Sequence, residues 1–220
     1  MNERATRPSV KILITGFEPF GGARINPSHE LLKLLHGVYP TLLLPNNIRR
    51  APGILMKTVA RLRPDAVLHL GESREARSIF VERGAVNRLE TTNELGVDIP
   101  DKSGNSAHNE PIVKGAPPFL RSTMPVERIV EAIRACRIPA HLRDHGGTHV
   151  SNEVFYLLLH SRKVRRVGYI HIPPVQVLKG GHGMALSRLL MAVGAAIEVL
   201  EGKSPPVSSR LGYRPLRLAI

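Results

Sequence analysis

The sequence predicts an α/β protein: a mostly parallel β-sheet with helices on both faces. Short apolar, β-branched runs ending at glycine or proline alternate with longer segments of helical periodicity, the order that builds such a sheet. The strand-like runs are apolar throughout, as strands buried on both faces are. With 220 residues and 42% hydrophobic content the chain is long enough for one domain with a full-sized core. No internal repeat or linker divides it, so residues 1–220 are read as a single domain with short extensions at 1–9 and 203–220.

Val10–Gly16 is the first strand. The loop Phe17–Pro27 is rich in glycine and proline, and Ser28 is placed to cap a helix through Leu35. Thr41–Leu44 is a second strand stopped by Pro45. Ile54–Leu62 reads as a helix, Ala66–Leu70 as a third strand, and Ile79–Val86 as strand-like. Arg88–Pro118 is polar and rich in Gly and Pro, a long excursion with little β structure, and such lengths are often functional. Pro125–Arg137 reads as a helix opened by its proline, Ala140–Leu142 as a short strand, Asp144–Val150 as a loop and Ser151–His160 as a helix. Val167–Ile172 is another buried strand, and Met184–Leu200 carries leucine, valine and isoleucine at helical spacing.

Composition narrows the function classes. Aromatic residues make up only 4% and tryptophan is absent, so the core is aliphatic. One cysteine, Cys136, excludes a disulfide within the chain and a cysteine-built zinc site. It is read as core packing and fits a reducing compartment. No apolar run reaches the ~18 residues of a membrane span, and the polar, basic start lacks a secretory pattern; a cytoplasmic protein without membrane partners is expected. The net charge of +13 is spread along the chain and is read as a solvated basic surface rather than a nucleic-acid patch.

Several residues carry possible chemistry. In α/β sheets, sites form in loops at the carboxyl ends of strands. There, Phe17 and Phe20 either wall a small flat ligand or pack into the core. Gly16–Gly22 has neither the dinucleotide spacing nor the Gly-Lys-Ser/Thr of a phosphate loop. Ser151 opens a helix: it is either a plain cap or a nucleophile favoured by the helix dipole and free N–H groups. His171 and Glu82 each lie in an apolar strand, where an acid is costly to bury unless paired. Together the three could form a nucleophile–base–orienter set, which spacing alone does not prove. His145 and His149 flank two glycines, so a shared helical face for a metal is not expected there, and no metal ligands are assigned.

These residues fall in blocks. Lys11–Gly22 with Ile25–Ser28, Arg63–Gly71, Val81–Asn87, Ile99–Asp101, Glu110–Pro117, Gly147–Tyr156 and Gly168–Pro174 resemble, in type, order and spacing, the blocks of the pyroglutamyl peptidase (pyrrolidone-carboxylate peptidase) family. The resemblance spans roughly residues 10 to 200. It implies a three-layer α/β/α sandwich with a central twisted, mostly parallel sheet, often a homotetramer. It also implies removal of an N-terminal pyroglutamyl residue from peptides, without metal or other cofactor. By position, Glu82 would orient His171 and His171 would activate residue 151. Phe17 and Phe20 would sandwich the lactam ring of a peptide or small lactam ligand, with Asn26, Glu72 and Ile99 at neighbouring substrate-binding positions.

Four departures qualify that expectation. Residue 151 is Ser where the family carries its catalytic Cys. Asp98 stands where the family usually has an arginine in a proposed oxyanion role. Glu72 replaces a Gln or apolar residue, and the family's Ser-Ala-Gly before the nucleophile reads His145-Gly146-Gly147. Serine depends wholly on its general base, whereas a thiol is partly ionised near neutral pH. Slow or absent turnover is therefore expected. The alternative is a non-catalytic homologue that binds a pyroglutamyl or related small ligand. Whether the serine is an engineered change, a natural variant or the mark of such a homologue stays open.

Overall fold

The computed structural model describes residues 10–91, 100–101, 103–176 and 182–203. Among these the chain runs β1 (Ile12–Phe17), α1 (Pro27–Leu35), β2 (Thr41–Leu44), α2 (Ala51–Leu62), β3 (Ala66–Glu72), β4 (Ile79–Val86), β5 (Phe119–Arg121), α3 (Val126–Ala135), β6 (Ala140–His145), α4 (Val150–Ser161), β7 (Arg166–Ile172) and α5 (Leu186–Leu200). The strands join in one seven-stranded sheet with the path β2-β1-β3-β7-β4-β5, and β6 also pairs with β4. Pairs β1–β2, β1–β3, β3–β7 and β4–β6 are parallel, while β4 runs antiparallel to β5 and β7.

Every residue of β1 is buried, because the strand feeds two cores at once. Ile12 and Ile14 join Leu68, Leu70, Ile170 and Ile172 under α1, α3 and α5. Leu13 joins Val67, Val167 and Tyr169 under α2 and α4. Period-two alternation of apolar residues thus gives a three-layer α/β/α sandwich, as the alternation of elements predicts. Cys136, half-buried at the end of α3, packs against the first core.

Three local differences from the sequence reading bear on the site. The cap of α1 is Asn26, whose side chain accepts from Ser28 N, and not Ser28. Pro27 has no N–H to cap and its φ is already helical, so the cap and the helix start lie two residues earlier. Second, β6 continues past Leu142 to His145 despite its polar sequence, because its parallel ladder with β4 pairs Glu82 with Arg143 and Gly84 with His145. Third, β5 is a three-residue edge strand beyond the excursion's prolines. It lies so close that a Cβ on Gly84 would sit 2.2 Å from Leu120 O.

Candidate active site

The β4–β7 register sets Phe80 opposite His171, which brings Glu82 within reach of the imidazole. His171 Nδ1 lies 2.8 Å from Glu82 Oε1, and both side chains are buried. An acceptor carboxylate at Nδ1 places the ring proton there and leaves Nε2 as the basic nitrogen. On the other edge of β4, Arg143 of β6 grips the same carboxylate, with Nε 3.0 Å and Nη2 2.6 Å from Oε1. Its guanidinium also lies 4.8 Å over the Phe80 ring. Burial pulls the His171 pKa down; the Glu82 hydrogen bond and charge oppose this, and the Arg143 charge adds to it. The imidazole is therefore neutral at neutral pH, the form a general base needs.

Ser151 stands in the first turn of α4, and the cap residue His149 makes no side-chain hydrogen bond to that turn. The uncapped N–H groups there are available to a developing negative charge. Asn152 fixes the turn to the end of β4: its Oδ1 accepts from Val86 N at 3.0 Å and its Nδ2 donates to Val86 O at 2.9 Å. One small pocket is lined by Glu82, Gly146, Ser151, Asn152, Phe155, Tyr169 and His171. The three sequence-predicted catalytic positions therefore meet. The glycine at 146 is part of this geometry, since a Cβ there would lie 2.2 Å from His171 Cε1.

The expected substrate-binding positions are more dispersed. Phe17 is buried and belongs to the apolar cluster of Phe155 and Tyr169, so it packs beside the pocket without lining it. Phe20 sits on the loop beneath Arg74, whose guanidinium carbon is 4.4 Å from the ring centroid. Asn26 is fully buried, and its Nδ2 donates to Glu18 O while its Oδ1 accepts from Ser28 N. Its polar atoms thus hold the Phe-bearing loop in shape. Glu72 ends β3 opposite Ile172; burial raises its carboxyl pKa, with the Arg74 charge opposing. Strand alternation sends Glu72 to the Leu70 side, away from the Tyr169 face. Ile99 and Asp98 lie outside the described residues. No group of three His, Cys, Asp or Glu side chains is placed to hold a metal among the described residues.

Arg143, Tyr169 and Glu153 escaped the sequence reading. Glu153 sits two residues after Ser151 with Oε2 buried and unpartnered. Burial and then the Asp101 charge push its carboxyl up to about 8. His69, stacked on Tyr169, is pulled down to about 3 by burial. A raised acid contributes stability that is present below its ordinary value of 4.5 and lost as pH rises through about 8. The depressed histidines, His69 with His149 and His171, contribute stability present above 6.5 and lost as pH falls below it. Between pH 6.5 and 8 the Glu153 contribution falls while the histidine contributions, half developed at 6.5, still rise, so the two partly cancel. Comparison with Glu153→Gln isolates the acid: in urea unfolding, the stability of the parent relative to the variant is expected to fall by about 1.5 kcal/mol over that interval. A difference that does not change with pH would show that Glu153 is not the group that titrates there.

A buried histidine–carboxylate pair and a serine in the first turn of a helix thus line one pocket of an α/β/α sandwich, an arrangement of the hydrolase class. Residues 10–203 match the pyroglutamyl peptidase family, and the chain belongs to it. Pyrrolidone-carboxylate peptidase of Pyrococcus furiosus is 36% identical over 208 residues, covering 86% of this chain and 97% of that protein. The Erwinia tasmaniensis enzyme of the same name is 35% identical over 201 residues, covering 86% and 92%. The crystal structure of Bacillus amyloliquefaciens pyroglutamyl peptidase I superposes with a TM-score of 0.79 at 31% identity, covering 88% of this chain and 97% of that one. The Pyrococcus furiosus structure gives 0.79 at 35% identity, covering 88% and 99%. No helix among the described residues is long and apolar enough to cross a membrane.

Proposed function

We propose that the chain hydrolyses the amide after an N-terminal pyroglutamyl residue, with Ser151 as nucleophile, His171 as general base and Glu82 as its orienter. The observation that carries this is the 2.8 Å His171–Glu82 contact in the same pocket as Ser151. Ser151 Oγ bonds to the pyroglutamyl carbonyl carbon and its proton passes to His171 Nε2. His171 returns that proton to the leaving amine, and water then hydrolyses the acyl-enzyme by the same route. The loop of Phe17 and Phe20, held by Asn26, supplies the apolar wall for the lactam. Turnover is slow relative to a thiol enzyme.

The test is release of a fluorophore from a pyroglutamyl amide, with prolyl and glutamyl amides beside it. Release is expected from the first alone, because proline lacks the lactam carbonyl and glutamate is open and charged. No release from any of the three would remove the peptidase reading. The serine at position 151 favours one second reading, a protein that holds a pyroglutamyl group uncleaved. Calorimetric binding of 2-pyrrolidone without amide hydrolysis would support it.

A further inference from the structure

Tyr169 lies two residues before His171 on β7 and is 1% exposed, yet its hydroxyl has no hydrogen-bond partner. Burying an unpaired hydroxyl is unfavourable, and phenylalanine would fill the same ring position without that cost. The neighbouring strand makes room for this one atom: a Cβ on Gly71 would lie 1.9 Å from Tyr169 Oη. The ring packs against His171, with centroids 4.5 Å apart, and it walls the pocket together with Ser151 and Glu82. Ser151 is near enough to favour the ionised phenol slightly, although no formed hydrogen bond joins the two side chains. Burial pushes the phenol pKa well up, so Oη keeps its proton and is a donor without an acceptor.

Resting on the reading of Ser151 as nucleophile, we infer that the Tyr169 hydroxyl is a fourth member of the catalytic set, donating to Ser151 Oγ as that oxygen gives its proton to His171 Nε2. Oγ then forms its bond to the acyl carbon, and Tyr169 keeps its own proton throughout. A donor at this place suits an oxygen nucleophile. Alkoxide character builds on Oγ as the proton leaves, and a hydrogen bond to charged oxygen is about twice as strong as a neutral one. Sulfur accepts hydrogen bonds weakly, and a thiol ionises with little help. The tyrosine therefore answers the weakness that the serine introduces.

The test uses a fluorophosphonate, which reads the nucleophile independently of pyroglutamyl recognition. Ser151 Oγ bonds to phosphorus, fluoride leaves and the serine proton passes to His171. Tyr169→Phe is expected to slow labelling of Ser151 about ten- to hundredfold. In a Ser151→Cys background the same change should alter iodoacetamide alkylation less than about threefold. Tyr169→Phe should also unfold at the same temperature as the parent or a higher one, since it deletes an unpaired buried hydroxyl. Equal labelling of parent and Tyr169→Phe overturns the inference. So does an equal loss in the cysteine background, which would reveal a packing effect, and so does a parent whose Ser151 is not labelled. Intact labelling without pyroglutamyl amide hydrolysis would instead remove the substrate assignment and leave the role of Tyr169 standing.

Discussion

Ser151→Ala is expected to reduce kcat/KM for a pyroglutamyl amide to the uncatalysed background, a loss of at least about 10³-fold. Ser151→Cys is expected to exceed the parent by at least about tenfold. The alanine variant keeps the α4 turn, its Asn152 anchor to Val86 and the His171–Glu82 pair, and lacks only the attacking atom. The cysteine variant puts a readily ionised sulfur at a helix N-terminus, the environment that depresses a thiol pKa. Cys136 cannot stand in for either, since it packs against the opposite face of the sheet. Parent-like hydrolysis by Ser151→Ala would remove Ser151 from the mechanism. An inactive Ser151→Cys would shift the cause of slow turnover from the atom at 151 to its surroundings, above all Gly146 and Arg143.

What the sequence made legible follows from how each feature encodes itself. Thr41–Leu44 and Ile79–Val86 were readable as strands residue for residue, because each is a short run rich in apolar residues and the first is stopped by Pro45. Glu82 and His171 each stood out as polar groups in buried strands. Their meeting did not, since they lie 89 residues apart and only the antiparallel β4–β7 register joins them. Arg143 was hidden because it falls between the strand read as ending at Leu142 and the loop read from Asp144; the ladder partner, β4, is what makes it part of a strand. Tyr169 was hidden in the opposite way, as one more large residue in a core strand, and only its unpaired hydroxyl marks it. Glu153 looked ordinary because an acid in the first turn of a helix is favourable. Its burial against Asp101 is a tertiary fact.

Glu82→Gln should lower kcat/KM by roughly 10³- to 10⁴-fold, the range seen when the acid of a catalytic triad becomes its amide. The reason is hydrogen-bond polarity. Glu82 Oε1 accepts from His171 Nδ1 at 2.8 Å and from Arg143 Nη2 at 2.6 Å at the same time. An amide has one acceptor oxygen and one donor nitrogen. If the amide oxygen takes the Oε1 place, it keeps both partners but carries no charge to stabilise the imidazolium formed on proton transfer, and its NH2 meets only Arg143 Nε. If the NH2 takes that place, it faces Nδ1 and the guanidinium together, which selects the tautomer with the proton on Nε2 and removes the base. Either way the variant should also lose about 1–3 kcal/mol in urea unfolding. That is less than a fully buried pair would cost, because the Arg143 side chain is 32% exposed. Arg143→Gln separates the two duties of the carboxylate. It leaves the Glu82–His171 bond in place and removes a cation that lowers the His171 pKa. The acid limb of the pH–rate profile should then move to higher pH while the plateau rate changes far less than in Glu82→Gln. A Glu82→Gln rate within tenfold of the parent would mean that Glu82 serves mainly to anchor Arg143. An acid limb unmoved by Arg143→Gln would mean that the guanidinium does not tune the base.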